Sequence, residues 1–160
     1  MELYLLRHAE AEADAASDRE RRLTPKGEGQ ARAVGEFCRR QSIRPDLVLT
    51  SPYRRTVQTA GLVAEALGGA CPVQETAFLA SGMTPHTAFA ELRAYQKFNR
   101  LMIIGHQPDL GQLSAALLGL MSPENMPVGK ATLTGIVIGY LGPRGGSLEF
   151  FLPVGMAGTP

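Results

Sequence analysis

Apolar residues along this chain fall into two kinds of run. Short blocks of four to six residues alternate with longer stretches in which apolar positions recur every three or four residues. Glu2 to Leu6 reads as a short buried strand, too short for a helix. A polar, Ala-rich loop runs from Ala9 to Leu23, and Thr24-Pro25 then supplies an N-cap and a first-turn proline. Ala31, Val34, Phe37 and Cys38 follow at helical spacing, which predicts a one-faced helix ending near Gln41. Residues 46–50 ("DLVLT") form the next strand, broken by Ser51-Pro52. A helix is predicted from about Arg54 to Leu67, stopped by Gly68-Gly69.

The same alternation continues. Pro72 to Thr76 is a strand candidate, and Thr84-Pro85 opens a helix reaching to about Lys97. Leu101 to Ile104 is a short apolar run ending in Gly105-His106-Gln107-Pro108, and Asp109 to Leu118 is helical, closing on Gly119. The tail changes character: Thr132 to Leu141, a Gly/Pro-rich turn, then Ser147 to Leu152 predict a hairpin. Strand-helix alternation followed by a hairpin implies an α/β three-layer sandwich with a mostly parallel central sheet and an antiparallel edge hairpin. No repeat, linker or low-complexity segment interrupts it, so a single domain over residues 1–160 is expected.

Composition narrows the function classes. Lys plus Arg number 16 against 15 for Asp plus Glu, and the net charge is +1. No global field draws such a chain to nucleic acid or to lipid, so any cationic feature is local. Cys38 and Cys71 sit in no C-x-x-C or Cys/His cluster, which argues against a structural metal and for reduced thiols. The first residues lack a basic n-region, and no stretch is long enough to span a bilayer, so a cytoplasmic protein is expected.

The chemistry collects where strands end. Arg7-His8 follows the first strand, Tyr53-Arg54-Arg55 the second, and Gly105-His106 the "LMII" run. In open α/β sheets, ligands bind in the crevice at the carboxyl ends of the strands. If these strands are parallel neighbours, Arg7, His8, Arg54 or Arg55, and His106 meet at one place. Helices starting after Pro52 and Pro108 would aim their N-termini there too. Two arginines, two histidines and helix N-termini describe a dianion site, since the arginine fork matches phosphate geometry. No opposing carboxylate is obvious at the strand ends. Crowded arginines should keep His8 neutral near pH 7, leaving a nucleophilic nitrogen beside phosphate. His106 is placed to stabilise charge on the transferring phosphoryl group, and the arginines stand where a metal would otherwise be needed.

The residues also resemble a family. Arg7-His8-Ala9 after an N-terminal strand, "SPYRRTVQTA" at residues 51–60 and "GHQP" at 105–108 are similar, in order, to the motifs of the histidine phosphatase (phosphoglycerate mutase-like) superfamily. The short chain and "DAASDRERRLTPKG" at residues 14–27 resemble the small bacterial phosphohistidine phosphatases of the SixA type. The resemblance implies His8 as the phosphorylated nucleophile with Arg7, Arg55 and His106 holding phosphate, and it favours Arg55 over Arg54. It also implies that Arg21 lies close to the phosphate. No cofactor or metal is expected. The implied substrate is a phosphorylated protein such as a histidine-phosphotransfer domain, with inorganic phosphate as product and a monomer as the working form. Many members of the larger superfamily carry an acid that protonates an alkoxide leaving group. Here Leu79 and Ala80 stand where that acid would be sought. A protonated phosphoimidazole is a good leaving group and needs little help, so the lack favours phosphohistidine. The rival readings are a phosphatase of small phosphate esters and a non-catalytic phosphohistidine-binding module.

Other polar features carry plainer readings. His86 in a first helical turn is expected in solvent, Arg19 to Arg22 in a solvated loop, and Glu10, Glu12 and Asp14 match no metal motif.

Overall fold

A computed structural model describes residues 1–123 and 126–157. Six strands form one sheet: β1 (Glu2–Arg7), β2 (Leu47–Thr50), β3 (Val73–Glu75), β4 (Arg100–Gly105), β5 (Leu133–Ile138) and β6 (Gly146–Leu152). Their order is β3-β2-β4-β1-β5-β6, with β1 to β4 mutually parallel and β5-β6 an antiparallel hairpin on β1. Four α-helices complete the described fold: α1 (Pro25–Arg40), α2 (Arg54–Ala66), α3 (Pro85–Leu92) and α4 (Asp109–Leu118).

The centre of the sheet is buried on both faces because β1 and β4 are apolar at every interior position, as a doubly covered parallel sheet requires. Alternate residues enter different cores. Tyr4, Leu6, Met102 and Ile104 pack with Ala31, Val34 and Cys38 of α1 and Ala60 and Val63 of α2. Leu3, Leu5, Leu101 and Ile103 pack with Ala88 and Leu92 of α3 and Leu110, Leu113 and Leu117 of α4. The three-layer sandwich is therefore written in the period-two pattern of the central strands. Both predicted caps form: Thr24 Oγ1 accepts from Gly27 N at 3.0 Å, and Thr84 Oγ1 from Thr87 N at 3.2 Å. Among the described residues, no helix is long and apolar enough to cross a membrane.

Two expectations of extent are corrected. The third helix stops at Leu92 and tightens into a 3-10 turn over Arg93–Tyr95 instead of reaching Lys97. The carboxylate of Asp46 accepts from Asn99 N and Arg100 N at 2.9 and 2.8 Å, which draws the chain into β4. The strand expected to reach Leu141 ends at Ile138, where Gly139 N and Tyr140 N donate to Gly145 O and close the hairpin turn.

Candidate active site

The register places the three strand ends side by side. Leu6 pairs with Ile104 and Arg7 with Gly105, while Thr50 pairs with Ile104 from the other side. The ladder runs on past the strands, with His8 N donating to Gly105 O at 3.1 Å and Ser51 N to Ile104 O at 3.0 Å. His8 and His106 are thereby brought together, their rings 5.5 Å apart between centroids, and both are buried.

Hydrogen bonds assign the tautomers. His8 Nδ1 lies 2.8 Å from Ala9 O, which only accepts, so Nδ1 carries the proton and Nε2 keeps its lone pair. His106 Nδ1 accepts from Arg55 Nη2 at 3.3 Å, and its Nε2 meets Ser51 Oγ at 2.8 Å. A hydroxyl both donates and accepts, so Ser51 can serve either tautomer of His106. Burial is the first cause that pushes His8 down to about 3, with Arg55, His106 and Arg7 adding to it against the Ala9 bond. This revises the expectation that the arginines dominate. His106 is lowered to about 4, again by burial first and then by Arg55. Both imidazoles are neutral at pH 7.

The arginines are held by main-chain and side-chain acceptors. Arg7 Nη1 donates to Val128 O at 3.0 Å. Arg55 Nη1 donates to Asp18 O at 2.5 Å, and its Nη2 to Asp18 Oδ2 at 3.0 Å. The ring of Tyr53 lies under the Arg55 guanidinium at 4.9 Å and meets His106 edge-on at 4.8 Å. Yet the Nε of both Arg7 and Arg55 is buried without a partner. The other two such atoms among the described residues are hydroxyls, on Ser114 and Thr134. Buried donors are almost always paired, so two orphaned guanidinium edges beside a nucleophilic imidazole mark an anion site.

The structure corrects the expectation that no carboxylate opposes this charge. Asp18, on a 3-10 turn over Asp18–Glu20 in the loop after β1, bridges Arg55 and Arg21, whose Nη1 it meets at 3.0 Å. Arg21 thus reaches the site through Asp18. Its Nε donates to Glu12 O at 2.5 Å, and the structure shows no closer tie to His8. Arg54 turns away and faces Glu20 at 3.7 Å, consistent with the choice of Arg55.

Several residues that position the site were not assigned roles from the sequence. Gln58 Oε1 accepts from Leu23 N at 2.8 Å and pins the end of the loop. Thr59 Oγ1 accepts from Ala9 N at 3.2 Å and fixes the segment that follows His8. Their signal was visible as the Gln and Thr of "RRTVQTA", but their partners lie far off in sequence. Glu10 serves the loop: it pairs with Lys26 at 3.0 Å and accepts from Thr24. A Cβ at Gly27 would lie 1.9 Å from Glu10 O, so the start of α1 touches loop backbone directly. Leu79 is wholly buried, so the place searched for a proton donor is core. Exposed Glu75 instead lines a cleft of about 370 Å³ beside the site with Arg19, Glu20 and Arg54. His86 is exposed, as expected.

A buried neutral imidazole close to two arginines that each carry an unpaired buried N–H, on the carboxyl edge of an open α/β sheet, makes a candidate oxyanion site. The chain belongs to the histidine phosphatase superfamily: the model of that family's branch 1 matches residues 3–81, which include the Arg7-His8 and Arg55 motifs. An uncharacterized protein of Picosynechococcus sp. (strain PCC 7002) is 31% identical over 144 residues, covering 85% of this chain and 84% of its own. The phosphohistidine phosphatase SixA of Escherichia coli K12 is 28% identical over 123 residues, covering 73% of this chain and 74% of its own. A solved structure of the protein histidine phosphatase SixA complexed with tungstate superposes with a TM-score of 0.85 at 24% identity, over 96% of this chain and 97% of that one.

Proposed function

We propose that this protein is a metal-independent phosphohistidine phosphatase acting on a phosphorylated protein. The observation that carries the reading is that His8, buried with Nε2 unprotonated, sits within electrostatic range of Arg7 and Arg55, each of which has a buried Nε–H without a partner. A phosphoryl group lying against those donors brings phosphorus within reach of an in-line attack. The lone pair of Nε2 forms a P–N bond while the substrate's own P–N bond breaks, and the departing imidazole keeps its electron pair and a proton taken from solvent. Water then attacks the phosphorus of the phosphoenzyme. Inorganic phosphate leaves and His8 recovers its lone pair.

Charge stabilisation falls to Arg7, Arg55 and His106. With phosphate bound, Arg55 Nη2 would release His106 Nδ1; Ser51 would then donate its hydroxyl to Nε2, and the proton on Nδ1 would bond a phosphoryl oxygen. Arg21 adds cationic charge from the loop. The absence of a carboxylate at Leu79 and Ala80 supports a substrate whose leaving group needs little protonation, as phosphoimidazole does. A histidine-phosphotransfer domain or a related signalling protein would present such a group to the exposed rim. The relative named phosphohistidine phosphatase in Escherichia coli supports the same substrate class.

The test is a substrate panel run on the wild type and on His8→Ala. Phosphohistidine on a carrier protein should turn over in the wild type faster than sugar phosphates by roughly 10²-fold or more, the scale of a missing general acid. His8→Ala should neither turn over nor acquire acid-labile covalent phosphate. Equal or faster hydrolysis of sugar phosphates would instead assign a small-ester phosphatase. Phosphate binding without any hydrolysis would assign a binding module.

A further inference from the structure

Among the described residues, Asp18 is the one carboxylate held against Arg55 and Arg21. Its two kinds of acceptor divide the work. The main-chain oxygen takes Arg55 Nη1 and the carboxylate takes Arg55 Nη2, so residue 18 engages both terminal nitrogens of the fork. What remains of Arg55 is its Nε–H, buried and without a partner, together with the Nη2 bond to His106. The other carboxylate oxygen of Asp18 takes Arg21 Nη1.

No packing accounts for this arrangement. The turn carrying Asp18 buries no residue, and the Asp18 side chain is 58% exposed while that of Arg55 is only 5% exposed. The loop is anchored elsewhere, by the Ala11–Leu23 bridge and by Gln58 and Glu10. Arg7 lies close enough to Arg55 for their charges to repel, a force that favours swinging one long side chain out to solvent. An acceptor on the outer edge of Arg55 opposes that swing.

We propose that Asp18 is the positioning residue of this site: it clamps the terminal nitrogens of Arg55, with Arg21 on its other carboxylate oxygen, so that the Arg55 guanidinium stays beside His106 at the strand ends, where phosphate would bind. The proposal rests on the phosphate-binding part of the reading above. Asp18 does not touch the reacting atoms; it acts through Arg55. Geometry, more than the charge of Asp18, is what the site uses, because that charge by itself would repel phosphate.

The experiment measures inorganic phosphate binding by calorimetry for the wild type, Asp18→Ala, Asp18→Asn, Arg55→Ala and the Asp18→Ala/Arg55→Ala double variant. Asp18→Ala should weaken phosphate binding by about tenfold, the scale of one charge-assisted hydrogen bond. Asp18→Asn keeps an acceptor for Arg55 without the charge, and should stay within about threefold of wild type. In the Arg55→Ala background, Asp18→Ala should cost nothing further, because residues acting through one another are not additive. Wild-type affinity in Asp18→Ala, or losses that multiply in the double variant, would overturn the assignment. So would a collapsed melting temperature in Asp18→Ala, which would make the residue structural. Phosphate binding needs no turnover, so a wild type that binds phosphate but spares phosphohistidine would sink the substrate reading alone. A wild type that binds no phosphate would sink both.

Discussion

The two ends of the central strands handle charge in opposite ways. At the amino ends of β1 and β4, Glu2 Oε2 accepts from Arg100 Nε at 3.1 Å and from the Tyr4 hydroxyl, and Asp46 takes two backbone N–H groups. Burial, and then the bond to Glu2, push the Tyr4 phenol up, so it stays a neutral donor there. Both of those carboxylates are matched by donors. At the carboxyl ends, Asp18 is the one carboxylate on Arg55 among the described residues, Arg7 has only the main-chain oxygen of Val128, and two buried N–H groups have no acceptor. Each such orphan costs about 1–3 kcal/mol, a cost the balanced end never incurs. The same strands therefore support one edge that is finished by the protein itself and one left open, where the proposed phosphate would sit. Imbalance of this kind locates function better than charge alone, since both edges are charged.

The contrast is broken most severely at His8. Replacing it with alanine should lower turnover of phosphohistidine by about 10⁴-fold or more, as loss of a covalent nucleophile does, with no phosphoenzyme detectable by mass spectrometry. Residual activity near that of the wild type would place the nucleophile elsewhere. Arg7→Met removes an anion donor and a buried orphan together. It should cost about 10²–10³-fold in kcat/KM, the scale of one transition-state donor, without lowering the melting temperature. A variant that loses stability in step with activity would make Arg7 a structural residue instead.

Acid attacks the open edge next. His8 and His106 are held near 3 and 4 when folded, against about 6.5 for an unperturbed histidine, so the unfolded chain binds more protons below pH 6.5. Their contribution is present above pH 6.5 and is lost as pH falls towards 4 and then 3. At pH 5 each should cost about 2 kcal/mol. Urea midpoints measured at pH 7 and pH 5 would show the drop, and a flat profile would contradict the burial argument. The smallest effect belongs to the closed edge. Glu2→Gln should change stability by less than about 1 kcal/mol, because its ion pair with Arg100 is partly exposed, and should leave kcat/KM unchanged.

Much of this was legible in the chain because strands, caps and strand-end chemistry are local signals. Glu2 to Leu6 and Leu101 to Ile104 announce buried strands, and the cationic and imidazole groups follow at once. Arg54 against Arg55 was not legible from spacing, since the choice depends on where α2 begins. Successive helical residues point about 100° apart, and the start at Arg54 turns that residue outward to Glu20 and its neighbour inward. Asp18 was invisible for a different reason. It lies in a loop without periodicity, 37 positions from Arg55 in the chain, and its loop neighbours Glu12 and Asp14 look no different in sequence. Ser51 and Thr59 could be seen as letters of a motif, but their work on His106 and Ala9 exists only after folding.

The position of β1 in the sheet has a temporal side. It is the first strand made and the most central to the site, yet its partners are β4, beginning at Arg100, and β5, beginning at Leu133. Pairings so distant in sequence form slowly, because a long stretch of chain must close before any contact repays it. On the ribosome, Arg7 and His8 emerge before both strands that flank β1 and wait for them before they acquire walls. His8 is thus enclosed late by the residues that follow it, and a chain halted short of β5 carries the letters of the proposed site without its walls.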